Sequence, residues 1–308
     1  MTTPRIQDAL YRIQVEQQPP SSSDAVALHI RLDGSTHPEG PGLVYLGGDY
    51  EHEYWHSSSD QLRAIVLAAP DAVDADAAVA AQSLYQELIE RLKQSDYAYP
   101  LRLWNFMPGI NHGKGDQERY RRFCVGRGRA LEAAGLSDAQ MCAATAIGSQ
   151  RPVMQLVALT GKTPGITVEN PRQLSSWHYP RQYGPRQPAF ARATGLELDD
   201  QRKGLIISGT ASVIGHETAH PDDIQAQTLE AASNLDALLA NAARLMNRKP
   251  LEQFNEHSLA RVYVRHADDW PQVEHLLRSR WPRLRLAGLQ GDICRSDLLV
   301  EIEAWHCA

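Results

Sequence analysis

Cysteine is scarce, with four in 308 residues, and Cys124, Cys142, Cys294 and Cys307 fall in no CxxC spacing. That scarcity argues against a disulfide framework or a thiolate zinc site as the source of stability. Long apolar runs are missing as well: no stretch approaches the ~20 residues a membrane span needs. The start, MTTPRIQDALYRIQ, has no cationic segment leading into an apolar one, so the expectation is a cytoplasmic chain. Nor is there an excess of positive charge, because 31 Lys and Arg against 37 Asp and Glu leave a formal net charge of −6, with the signs interspersed. No electrostatic footprint for nucleic acid or an anionic membrane follows, and neither partner is expected.

What is present suffices for a core. Hydrophobic residues make up 43% of the chain and charged residues 22%, close to the soluble globular average. A chain of 308 residues exceeds the size at which single cores stop growing, so two domains are predicted. The stretch QQPPSSSDA at 17–25 reads as a surface connector, and order is expected from about Val26. Strand candidates follow at AVALHIRL and at GLVYLGG, 42–48. Over 72–94, Leu84, Leu88 and Leu92 recur every fourth residue and predict a helix packed on a sheet. LRLWNFM at 101–107 reads as a strand, and Glu118 to Ala134 as a helix. Two more strands, MCAATAIG and MQLVALTG, precede a long aperiodic segment at 170–193, a length that usually marks a functional loop.

The last third repeats the plan. A strand at 204–215 leads through AHPDD to a helix from Ile224 to Met246, with Asp222 or Asp223 as its N-cap. Strand LARVYVRH, helix WPQVEHLLRSRWP and strand DLLVEIEAW then close the chain. The fold class is therefore α/β, in the broad α+β sense, with two similar domains.

Three constellations carry candidate chemistry. His216-Glu217-Thr218-Ala219-His220 matches HExxH, which binds zinc only when a helix brings both imidazoles to one face. Here it follows Gly215 and precedes Pro221, so it reads as a turn, and no metal is expected. On the closing strand, Glu301 and Glu303 share one face by the period of two; an enclosed carboxyl there would have its pKa raised and could act as an acid near neutral pH. Finally, Arg127 falls near Tyr120 and Phe123 in helical spacing, while Arg119 and Arg129 read as a solvated cationic face. The 170–193 loop adds Arg172, Arg181, Arg186 and Arg192 with Tyr179, Tyr183 and Phe190. Guanidinium groups bind carboxylates bidentately and aromatic rings can enclose an unsaturated ring, so the pattern suits an organic anion.

The run GLIISGTASVIGHETAHPDDIQAQTLEAASNLDALL resembles the strand, turn and helix of the RidA/YjgF superfamily, whose helix opens with D-x-x-x-Q-T, and LLVEIEA resembles its closing strand. The earlier part is similar to the chorismatase family through LRLWNFMPGIN, ERYRRFCVGR and VENPRQLSSWHYPRQYGPRQPAFARA, joined by SGTAS and CRSDLLVEIE. The resemblance implies two RidA/YjgF-like domains, each a mixed sheet with helices packed on one face. The expected boundaries are a flexible segment 1–25, an N-terminal domain 26–160, a substrate-site loop and linker 161–200, and a C-terminal domain 201–308.

It also implies an enzyme without metal or redox cofactor that splits chorismate into pyruvate and 3-hydroxybenzoate, with 4-hydroxybenzoate as a further product. Glu301 matches the family's essential acid, and Cys294 and Gly209 match the benzoate-forming members rather than those that only hydrolyse chorismate to a dihydroxylated diene acid. Expected substrate contacts are Arg127, Arg186 and Arg192 as carboxylate clamps, with Tyr120, Tyr183, Phe190, Gly209 and Thr210 around the ring. The alternatives are the purely hydrolytic chorismatase reaction, a RidA-type enamine or imine deaminase, and an aromatic-acid binding module. RidA relatives are trimers, so a monomer or a homotrimer is expected.

Overall fold

The computed structural model describes residues 13–14, 27–31, 43–49, 52–56, 62–197 and 203–308. The flexible segment expected at 1–25 lies, apart from Ile13–Gln14, outside the described residues. In chain order the strands are β1 (Ile13–Gln14), β2 (Ala27–Arg31), β3 (Val44–Gly48), β4 (His52–His56) and β5 (Leu62–Pro70). Helix α1 (Ala77–Lys93), β6 (Tyr99–Pro108), helix α2 (Arg119–Ala133), β7 (Ala143–Ser149), β8 (Val153–Gly161) and β9 (Ile166–Val168) follow. After the loop come β10 (Ala193–Glu197), β11 (Lys203–Ala211), β12 (Val213–Ile214), β13 (Glu217–Thr218) and helix α3 (Ile224–Leu245). The chain closes with β14 (Leu259–Val264), helix α4 (Trp270–Arg280), β15 (Arg285–Gln290) and β16 (Val300–Cys307). No helix among the described residues is long and apolar enough to cross a membrane.

Two mixed sheets dominate. One runs β5-β8-β6-β7 and the other β3-β15-β14-β16-β11-β10-β9, each with one parallel pair, β6 with β7 and β14 with β15. Alternation along the strands explains their stacking. In β6, Leu103 and Met107 face a core built with Leu84, Leu88 and Phe123 of α1 and α2, whereas Trp104 and Phe106 face the second sheet. In β16, Val300, Ile302 and Ala304 pack with Leu235, Leu238 and Leu239 of α3, whereas Trp305 faces the first sheet. The layers are thus helix, sheet, sheet, helix, and each fully buried Leu or Phe contributes about 1.5–3 kcal/mol to holding them. Because Glu301 and Glu303 share the parity of Trp305, both carboxylates lie on the inner face, between the sheets.

Hydroxyl groups stitch the sheets together where β7, an edge strand, meets β10 and β11. The Ala143 amide donates to Thr194 Oγ1 at 2.8 Å, the Ala144 amide to Ser208 Oγ at 2.9 Å, and the Gly209 amide to Thr145 Oγ1 at 3.0 Å. An edge strand has unpaired amides, and the Thr194 and Ser208 side chains take the place of a further strand for those of Ala143 and Ala144, while Thr145 of β7 in turn accepts from β11.

Asp223 caps α3 by accepting from the Ala226 amide at 2.9 Å. One turn on, buried Gln227 donates to the Asp297 carbonyl at 2.8 Å and accepts from the Leu299 amide at 2.8 Å, fixing the chain as it enters β16. Arg119 departs from the expected solvated face: it is 3% exposed. Its guanidinium meets the Asp71 carboxylate at 2.5 Å and the carbonyls of Pro108, Ala72, Val73 and Ala75. Helical spacing assigned the residue to the outside, but the turn before α1 folds over it and supplies acceptors for its donors. Arg129, by contrast, is exposed.

Candidate active site

A cavity of about 270 Å³ opens at the seam between the two sheets. Its floor comes from Asn105 on β6, Ala144 and Thr145 on β7, and Gly209 and Ala211 on β11. One wall is the start of α2, with Glu118, Tyr120, Arg121 and Arg127. The 170–193 loop supplies Tyr179, Tyr183, Phe190 and Arg192, and the connection into β16 supplies Cys294, Arg295 and Asp297, with Glu301 beyond them. The long loop is therefore cavity wall over much of its length, braced by Ser176 Oγ, which donates to the Phe190 carbonyl at 2.8 Å.

Of the residues anticipated from sequence, Glu301, Cys294, Arg127, Tyr120, Tyr183, Phe190, Arg192 and Gly209 converge on this cavity. Arg186 and Thr210 do not. Arg186 lies across Gly128 of α2 and is held by Glu132 and by Asp138 at 3.2 Å, so its charge is spent on the surface. Thr210 is turned away from the cavity by strand alternation and donates to the Ser208 carbonyl at 3.0 Å. Both are corrections to the expected substrate contacts. The HExxH residues occupy the β12–β13 hairpin rather than a helix. His216 stacks edge-on against Tyr183 with ring centres 5.6 Å apart, whereas His220 faces Glu230.

The two neighbouring glutamates differ in state because their surroundings differ. Glu303 receives Arg102 at 2.5 Å, Thr145 and Arg261 at 2.6 Å, and Trp104 and Tyr263 at 3.0 Å. Burial alone would push its pKa up, but Arg102 and Arg261, with the Thr145 hydroxyl, outweigh that and hold it below the usual carboxylate value. Glu301 is 5% exposed, and although its backbone pairs within the sheet, its carboxyl makes no hydrogen bond among the described residues. Burial first, and then the negative charge of Glu303, raise its pKa to about 8 against the weaker pull of Arg102 and Arg192. At neutral pH one carboxyl is ionised and structural, while the other is a neutral acid facing the cavity. Burial, followed by Glu301, also pushes the Cys294 thiol up, so that residue stays an uncharged thiol.

The cavity cations are the counterpart. Arg127, Arg192 and Arg295 have no carboxylate within ion-pair distance among the described residues. Arg127 lies 5.0 Å from the Phe123 ring centre, and its guanidinium meets the Cys124 sulfur at 3.7 Å and the Tyr85 hydroxyl. Arg192 donates to Tyr179 Oη at 2.9 Å and the Leu174 carbonyl at 2.7 Å, 4.9 Å from the Phe190 ring. Arg295 sits 4.1 Å from the Tyr183 ring and donates to the His216 carbonyl at 2.9 Å. Among the described residues the buried Nε atoms of Arg127 and Arg192 have no partner, so both guanidinium groups keep unspent capacity for an anion. Arg295, Asn105 and Thr145 were not singled out from sequence. Arg295 was within reach, since it follows Cys294 directly in CRSDLL, but nothing in the alternating apolar strands marks Asn105 or Thr145.

Comparison with known proteins meets this geometry from the other side. A family profile described as Chorismatase FkbO/Hyg5-like, N-terminal, matches residues 47–160. A 3-hydroxybenzoate synthase from Streptomyces hygroscopicus is 38% identical over 235 residues, covering 73% of this chain and 68% of the relative. The chain belongs to the chorismatase family. A chorismatase from Streptomyces rapamycinicus is 35% identical over 284 residues, covering 87% of this chain and 80% of the relative. A crystal structure of a chorismatase superposes with a TM-score of 0.79 at 29% identity, spanning 96% of this chain and 97% of that one. The family profile takes in Asn105, Glu118, Tyr120, Arg127 and Thr145, and thus one side of the cavity in this chorismatase-family chain.

Proposed function

We propose that this chain converts chorismate to pyruvate and 3-hydroxybenzoate, with Glu301 as the general acid. The observation that carries this reading is a neutral, cavity-facing carboxyl beside three guanidinium groups without carboxylate partners, in a chain of the chorismatase family. Chorismate is a dianion bearing an enol ether, so it offers the cations their missing counter-charges and the acid a carbon to protonate.

Glu301 donates its proton to the methylene carbon, which becomes the pyruvate methyl group, and the ether carbon becomes an oxocarbenium ion. The neighbouring ring hydroxyl adds to that cation and gives up its proton, closing a cyclic ketal. The ring C–H proton beside the ether oxygen is then lost while the C–O bond of the former hydroxyl breaks, which makes the ring aromatic, and the hemiketal left on the ether oxygen collapses to pyruvate and 3-hydroxybenzoate. Where water adds instead, the hemiketal collapses to pyruvate and the diene diol, which becomes a hydroxybenzoate only by losing a water again. Chorismate contains all the atoms of pyruvate plus hydroxybenzoate, so the proton given by Glu301 is recovered when the ring aromatises, and the carboxylate left behind is placed to take it. Arg127, Arg192 and Arg295 hold the two carboxylates, and Tyr120, Tyr183 and Phe190 enclose the ring. Cys294, uncharged beside Glu301, steers which oxygen ends on the ring rather than attacking as a nucleophile.

Purified protein given chorismate after exhaustive chelation is expected to release pyruvate and hydroxybenzoate in equal amounts, read by chromatography. Absence of both would remove the reading. Cys294→Ala is expected to change the proportions of 3-hydroxybenzoate, 4-hydroxybenzoate and diene acid while total pyruvate formation stays within about tenfold of the parent, the lower end of acid–base effects. An unchanged product spectrum would count against steering by the thiol.

A further inference from the structure

Thr145 faces the cavity yet offers it nothing. Its hydroxyl, on a residue 5% exposed, has three polar neighbours: the Gly209 amide at 3.0 Å, Arg102 Nη2, and Glu303 Oε2 at 2.6 Å. A hydroxyl has one proton and two lone pairs, whereas an amide N–H and a guanidinium can only donate. Both lone pairs are therefore taken, and the proton has one destination, the Glu303 carboxylate. Every degree of freedom of this hydroxyl is fixed before a substrate arrives.

What the hydroxyl holds is the backbone beside the acid. Gly209 sits where the pairing of β11 with β16 breaks register, between Ile207 and Thr210, and its amide reaches across to β7 instead of along its own sheet. A Cβ built on Gly209 would stand 2.5 Å from Cδ of Glu301 and nearer still to Oε1. The Glu301 carboxyl thus occupies the hollow left by the missing side chain. With no hydrogen bond of its own among the described residues, it is located by the walls of that hollow.

We propose that Thr145 is a positioning residue: oriented by Glu303 and Arg102, it pins the Gly209 backbone and so fixes where the Glu301 carboxyl stands. The inference rests on the functional reading for its consequence in catalysis, but the linkage itself is a property of the ligand-free protein. Three groups from three strands, Thr145 on β7, Gly209 on β11 and Glu303 on β16, form one chain of contacts that ends at the acid.

Thr145→Val keeps the shape and removes the hydroxyl, and Thr145→Ser restores it. With chorismate, the valine variant is expected to lose about 10- to 100-fold in kcat with KM within about twofold, as a displaced reacting group costs rate rather than binding. The serine variant is expected within about threefold of the parent in kcat, for it keeps every hydrogen bond. A role confined to general stability would not produce that split or that rescue. In the ligand-free protein, deuterium exchange at the Gly209 amide is expected to be at least about tenfold faster in the valine variant, since the amide loses its acceptor. The infrared carboxyl band of Glu301, isolated by difference against Glu301→Gln, is expected to shift or broaden in the same variant. Should the valine variant not accumulate, Thr145→Ala carries the same measurements. Failure of the parent protein to turn over chorismate would sink the functional reading, while the exchange and infrared results still decide the linkage. Parent-like exchange and an unmoved Glu301 band in the variant lacking the hydroxyl would overturn it, as would parent-like kcat.

Discussion

Glu301→Gln is expected to abolish most chorismate turnover, lowering kcat by on the order of 10² to 10⁴, the usual contribution of a placed acid. Glutamine fills the same hollow beside Gly209 and cannot give up a proton to carbon, so substrate binding should persist while chemistry stops. The parent enzyme should show the matching pH dependence. With the Glu301 pKa raised to about 8, mainly by burial and then by Glu303, the reactive form is the protonated one. The rate should hold through neutral pH and fall as pH rises past about 8. Stability falls in the same direction, over a lower window. Because the folded-state pKa lies above the unfolded one, the unfolded chain releases this proton first as pH rises from about 4.5 to about 8, and the fold is progressively disfavoured over that window. At full effect the penalty is at most about 5 kcal/mol, and the glutamine variant does not bear it. The variant should thus unfold at an equal or higher denaturant concentration above pH 8. A variant that is both inactive and less stable there would point to a structural role for Glu301 instead.

The acid was legible in the sequence because β16 states its own geometry. An alternating run that closes a sheet must place Glu301 and Glu303 on the same side, and burial of that side follows from the Trp305 that shares it. Strand periodicity did not separate the two carboxyls, and only the family resemblance singled out Glu301, since the physical distinction lies in what faces them. The donors on Glu303 come from Arg102, Trp104, Thr145, Arg261 and Tyr263, which are separated by as many as 201 residues from it.

Elements with strong periodicity or explicit caps were equally readable: α1 from its leucine spacing, and α3 from Asp223. Strands β5 and β15 were not anticipated. In β15, RLAGLQ carries a glycine whose missing side chain accommodates the Trp270 ring, a tertiary requirement that interrupts the strand pattern. Arg186 and Arg192 illustrate the same limit within one loop. Both are arginines flanked by aromatic and proline residues, yet Arg186 meets Glu132 and Asp138 outside while Arg192 turns into the cavity beneath Tyr179. Only the path of the loop decides between them.

Glu303→Gln is expected to cost about 3–5 kcal/mol of stability, the range for breaking a buried ion pair from one side. The carboxylate of Glu303 accepts from five donors, and its arginine partners, Arg102 and Arg261, are 1% and 3% exposed. An amide in its place supplies one accepting oxygen, and its NH₂ group must face donors that cannot receive it, so at least one guanidinium is left buried without compensation. The midpoint of denaturant unfolding should therefore fall with little change in slope. In the fraction that remains folded, a second effect separates electrostatics from packing. Removal of the Glu303 charge takes away the repulsion that, after burial, keeps Glu301 protonated, while Arg102 and Arg192 continue to favour its ionised form. The pH above which turnover declines should consequently move down from about 8 toward neutrality. A loss of stability with no movement of that limit would mean that burial alone sets the acid, and that the paired carboxylates on β16 are electrostatically independent.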